Sequence, residues 1–227
     1  IKDGVISGQI IFILLVLPII GVIIGIARYY IGIKTFSLYT PIILSTAFFL
    51  IYENASGNQG EKLLSGILIG TFYTTLVLTF AAFGHKIFEK LRLHYFPKIS
   101  LIYSFTIIFV LLVIVGLKYL NINLFTSTNL LSLIMISLSY EGFINVYTKK
   151  KGKIALQLSI ETILLSLVCF TLMTIVPVQQ FILKFPWIII LTLPANYIIG
   201  SFRGLRLNEY FRFRDILEQD IPKDENN

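Results

Sequence analysis

Apolar residues run along this chain in long blocks broken by short polar punctuation, and the blocks have the length of membrane crossings. Seven stretches stand out, at about 6–27, 37–53, 63–84, 99–119, 124–145, 154–176 and 180–201. A helix needs roughly 20 apolar residues to cross about 30 Å of hydrocarbon. Blocks like these, repeated through one chain, could not coat a water-facing surface. The pattern therefore predicts an all-α membrane protein, a bundle of seven transmembrane helices. The second stretch is short and carries Pro41 near its start, where a helix loses least from a missing N–H. The fifth is the most polar, with Thr126, Ser127, Thr128, Asn129, Ser132, Ser137 and Ser139. A re-entrant fifth segment would leave six crossings.

Charge decides between six and seven. Short cytosolic loops collect Lys and Arg. With seven crossings, all but four of the 19 basic residues fall on one side, leaving Lys2, Lys62, Lys118 and Lys184 on the other. The basic side holds Arg28, Lys34, the loop from Gly84 to Lys98, the run Lys149–Lys153 and the tail. Removing one span breaks this alternation. The expected topology thus has the N-terminus outside and the C-terminus in the cytosol. Residues 1–202 form the transmembrane domain and residues 203–227 a basic, aromatic tail suited to lying along a membrane surface.

Composition agrees with this reading. The 227 residues are 56% hydrophobic and 14% charged, with mean hydropathy +0.83, whereas soluble domains carry about 25% charged residues. The net charge of +7 is accounted for by topology and by anionic headgroups, so no nucleic-acid partner is expected. One cysteine, Cys169, excludes a disulfide within the chain and any multi-cysteine metal site. The first residue is Ile1 rather than Met, which suggests a chain processed or cut from something longer.

Ionisable and amide side chains within the spans are the candidate chemistry, because each needs a partner or a cavity in hydrocarbon. Glu161 is the clearest. Protonation, or pairing with Arg28 or Arg203, would make it tolerable. It reads either as a proton- or ligand-coupled group or as a carboxylate locking two helices. Arg28, Glu141, Asn145 and Asn196 fall in the same cytosolic half, and with Glu161 they make a candidate polar cavity. The blander reading is basic residues snorkelling to headgroups and amides bonding across helices. In the tail, Arg203, Arg206, Arg212 and Arg214 are candidate partner-docking residues. Pro194 is a candidate kink. Gly66 with Gly70, and Gly21 with Gly25, make two small-residue motifs that favour close helix contact within the bundle.

Sharper chemistries fail. His85 and His94 both read as part of the basic inner loop, without the spacing an intramembrane zinc site needs. Lys184 lies too near the outer end for a retinal-type lysine. Cys169, in apolar surroundings, should be inert. Neither a catalytic residue nor a metal site nor a cofactor is expected.

Four short motifs carry a resemblance: GIKTFSLYTP followed by IILSTAFF (residues 32–49), LRLHYFPK (91–98), SLSYEG (137–142) and GSFRGLRLNEYFRFRDI (200–216). In this order and spacing the chain resembles the bacterial seven-transmembrane-helix domain usually fused to an inactive transglutaminase-like domain, over about residues 8–216. The resemblance implies a multi-pass protein of the bacterial cytoplasmic membrane. It also implies a preceding extracytoplasmic domain and a receptor-like or scaffolding role, with cytosolic partners such as an ATP-grasp peptide ligase. It transfers no catalytic residue. The alternatives are a solute or lipid carrier with Glu161 as coupling group, and a membrane-embedded enzyme, which lacks any carboxylate pair or metal-ligand cluster at working spacing.

Overall fold

A computed structural model describes residues 8–91, 93–119, 130–149 and 152–201, with the backbone alone for Lys149. The tail arginines Arg203, Arg206, Arg212 and Arg214 lie outside the described residues, as do the starts of the first and fifth expected spans, Arg92, Lys150 and Lys151. The described residues are helical throughout their ordered elements. α1 is Gly8–Ile26 and runs on through a π-helical turn, Ala27–Ile31. α2 is Tyr39–Asn54, α3 Gln59–Phe88, α4 Tyr95–Tyr119, α5 Leu130–Lys149 and α6 Gly152–Thr174. α7, Val176–Lys184, leads into a 3-10 segment, Pro186–Leu191, and then α8, Thr192–Gly200.

Cross-helix contacts sort the helix ends into two groups. At one end Gln9 of α1 meets Glu53 of α2, and the start of α3 shares a cleft with the α6–α7 corner (Gln59, Thr174, Pro177). At the other, Lys34 meets Glu161, Tyr95 meets Asn145 and His85 meets Tyr147. Ile199 of α8 packs at Gly25 of α1, which puts the end of α8 there too. The chain therefore alternates between two faces. The second face gathers Arg28, Lys34, Lys86, Lys98 and Lys153, and is called the basic end below.

Five described helices are long and apolar enough to cross a membrane, and a sixth is formed if the bent pair α7 and 186–200 is one span. α2 falls outside that group because it has 16 residues, about 24 Å of helix. Its shortness goes with its place at the centre, packed against α6, α5 and α3. Phe48, Ala47 and Ile51 are wholly buried, and a helix clad in protein need not match the full hydrocarbon width.

Aromatic rings fill the centre, and glycines make room for them. Phe48 and Phe170 meet edge to face at 6.2 Å, and Phe12 packs on Phe49 at 5.5 Å. A Cβ at Gly70 would stand 2.4 Å from Phe48 Cδ1, and one at Gly66 would stand 2.7 Å from Phe170 Cζ. This small-residue motif thus serves contact inside the bundle. Of the other, Gly25 faces Ile199 and Asn196, whereas nothing lies within 4 Å of a Cβ at Gly21. The polarity of the fifth span also has a packing reason. Ser132, Ser137 and Ser139 are buried, with Ser137 Oγ 3.2 Å from the Tyr73 hydroxyl of α3. Leu111, Leu112, Val115 and many other large apolar side chains stay exposed, as a lipid-facing surface requires.

The last span departs from the continuous 180–201 read in sequence. α6 ends at Thr174, and the chain turns at Ile175 into α7, with Pro177 in its first turn. A second break at Phe185 (φ −123°, ψ 66°) bends the chain by 92°. Pro186 is the reason, because a residue before proline is pushed out of the α region. α7 therefore caps the end opposite the basic one. Residues 186–200 rise about 25 Å as 3-10 and then α helix, with Pro194 in the first turn of α8.

Candidate functional site

The segment between the π-turn and α2 is where the bundle departs from simple helix packing. Gly32, at φ 91°, ends the π-turn, and its N–H and that of Ile33 both donate to the Ala27 carbonyl. A left-handed residue is the usual way out of a helix, and glycine adopts it without a Cβ clash. The chain then folds back inside. Thr35 is buried, with its hydroxyl donating to the Ser37 carbonyl. Ser37 Oγ accepts from the Thr40 N–H at 3.2 Å and lies 2.8 Å from Thr40 Oγ1, which satisfies one of the orphan N–H donors at the start of α2.

Two other helices hold this segment. The Lys34 backbone N–H donates to Glu161 Oε2 at 2.6 Å, and the Gln157 amide donates to Glu161 Oε1 at 2.9 Å. Glu161 lies nine residues beyond the start of α6, about 14 Å along it, so the segment reaches well below the rim of the bundle. From α5, Phe143 meets Phe36 edge to face at 6.0 Å. Gly142 lets them approach, since a Cβ there would lie 2.9 Å from Phe36 Cβ and 3.2 Å from Thr40 Oγ1. Among the described residues Glu161 is thus made tolerable by a backbone amide and a neighbouring amide side chain in place of Arg28, and Arg203 lies outside the described residues.

The other residues singled out in sequence are spread over separate contacts. Asn145 accepts from the Tyr95 hydroxyl of α4. Asn196 donates to the Thr192 carbonyl of its own helix and turns its Oδ1 toward Gly25. Arg28 is exposed on the π-turn, and Glu141 is exposed beside Gly142. Among the described residues these side chains share no hydrogen bond with one another. No cluster of three metal-ligating side chains occurs among the described residues.

His85 corrects the sequence reading. α3 runs on to Phe88, so this histidine sits in the last helical turn, buried, rather than in a loop. Neither ring nitrogen has a hydrogen-bond partner, and the Tyr147 ring stands against it at 5.0 Å. Nothing between Gly84 and Phe88 stops a helix, and Gly84 packs closely under Phe105 of α4. The absence of a proline or turn pair there was the available signal.

No curated protein and no solved structure matches the chain. The model of one family does, over residues 4–217, nearly the whole length. The order of helices described above fits that family's description, with α1 to α6 and the bent α7–α8 unit as the seven. The chain belongs to the family of seven transmembrane helices usually fused to an inactive transglutaminase.

Proposed function

We propose that this domain is a non-enzymatic, receptor-like or scaffolding membrane module. It couples an extracytoplasmic transglutaminase-like domain to cytosolic partners, an ATP-grasp peptide ligase being the class in view. The N-terminus is outside and the basic end faces the cytosol, as the distribution of lysine and arginine requires. The membrane is the bacterial cytoplasmic membrane. Arg203, Arg206, Arg212 and Arg214 form the partner-docking surface.

One observation carries the coupling. α2 is a short, buried rod whose two ends are both held by polar contacts. Gln9 holds Glu53 at one end at 2.7 Å, and beyond it the turn at Gly57 (φ 119°) leads into the Asn58–Glu61 capping box of α3. At the other end the 32–38 segment hangs on Glu161 and Gly142. Packed interiors shift as units rather than deform smoothly. A load on the outer loop is therefore delivered to the 32–38 segment. Both oxygens of Glu161 are engaged, which favours a helix-locking role over that of a carrier's coupling group.

The test is to purify the full-length protein gently from its own membranes and identify what stays bound by mass spectrometry. A stoichiometric cytosolic protein, lost when Arg203, Arg206, Arg212 and Arg214 are changed to Ala, supports the scaffold. Retention of no cytosolic protein at all sinks it.

A further inference from the structure

A groove of about 390 Å³ runs between α3, α5 and α6 toward the basic end, within the usual size of a ligand site. It opens sideways toward the bilayer, since two of its lining residues, Leu156 and Ile160, are 63% and 51% exposed. Its polar lining is largely spent. The hydroxyls of Thr75, Thr79 and Ser159 donate to the Phe72, Leu76 and Ala155 carbonyls of their own helices. The trough thus offers an apolar wall and few free donors, which suits a hydrocarbon chain and not a sugar or peptide.

The end of the groove has the opposite character. Tyr147 and Gly152 line it there, and Gly152 lets the Tyr147 ring lie close, 3.3 Å from where a Cβ would be. Behind Tyr147 stands His85, one turn on from the lining residue Ala82, buried and with both ring nitrogens unpaired. A buried polar group without a partner is costly and calls for one. Lys86 and Lys153 are exposed next to His85 and Gly152.

We propose that this groove holds an acyl chain of an anionic phospholipid, with its phosphate at the Tyr147–His85 end. The apolar trough takes the chain and the Tyr147 hydroxyl donates to a phosphate oxygen, with the His85 imidazole joining it when the Tyr147 ring turns aside. The lysines supply the charge that selects an anionic headgroup, as basic pockets between spans do.

The full-length protein in nanodiscs of equal phosphatidylglycerol and phosphatidylcholine, released for native mass spectrometry, tests this. Wild type should retain phosphatidylglycerol about tenfold over phosphatidylcholine, the effect of a charge-assisted hydrogen bond. Lys86→Ala with Lys153→Ala should abolish that preference, and His85→Phe, which keeps the ring volume, should lower retention of both lipids. Leu156→Trp, at an exposed position, should fill the trough and remove both lipids, which keeps the test open if His85→Phe misfolds. Equal retention of the two lipids by wild type, a preference unchanged in the double lysine variant, or retention unchanged in a folded His85→Phe overturns the proposal. So do unchanged retention in Leu156→Trp and a second copy of the chain bound with no lipid.

Discussion

The backbone amide of Lys34 and the carboxylate of Glu161 lie 127 positions apart in the chain and meet at 2.6 Å. Through this bond α6 holds the segment that feeds α2, and α2 is the helix around which the bundle is packed. Glu161→Ala should lower stability by about 1.5 kcal/mol, the low end for a charged hydrogen bond because the contact is partly exposed. Glu161→Gln keeps an acceptor and should cost less. Thermal unfolding in detergent checks the order, and equal melting of all three proteins would remove Glu161 from this role.

Gly66 and Gly70 of α3 should be intolerant of a side chain where Gly21 of α1 is not. Gly70→Ala and Gly66→Ala drive a methyl into Phe48 and Phe170 and should cost about 1–3 kcal/mol through overpacking. Gly21→Ala meets open space and should be neutral. The same melting experiment compares them.

Gly142→Ala should unseat the 32–38 segment, because its methyl would meet Phe36 and Thr40. Thr35, buried in the wild type, then becomes reachable. A Thr35→Cys reporter should react with a water-soluble maleimide about fivefold faster in the Gly142→Ala background, equivalent to about 1 kcal/mol of opening. An unchanged rate would mean the segment is held elsewhere.

Topology can be read in whole cells. Ser56→Cys, in the turn between α2 and α3, should be labelled from outside by an impermeant maleimide. Lys90→Cys, just beyond α3, should be labelled only after permeabilisation. The reverse pattern would invert the orientation and the cytosolic docking of the tail with it.

The spans were legible in sequence because a membrane crossing is a composition and a length, and both are local. The charge pattern likewise needs no contacts to be read. The fold-back of residues 32–38 was not legible, since its depth is decided by Glu161 and Gly142 on helices far along the chain. Those residues were visible only as a family motif, and Glu161 only as a carboxylate in need of a partner. The break at Phe185–Pro186 was within reach, as a proline inside an apolar run constrains the residue before it. His85 was misplaced because a histidine next to a glycine and a basic stretch looks like loop, although no proline or turn pair stops the helix there and Gly84 packs beneath Phe105.

Amide hydrogen exchange along the 32–40 stretch tests most directly whether α2 joins the two ends of the bundle. Gln9→Ala and Glu53→Ala cut the contact at the end away from the basic one. With coupling of about 1.4 kcal/mol, exchange at Lys34 and its neighbours should quicken about tenfold, although no residue there has been changed. Faster exchange confined to residues 53–58, with 32–40 as protected as in the wild type, would contradict the account.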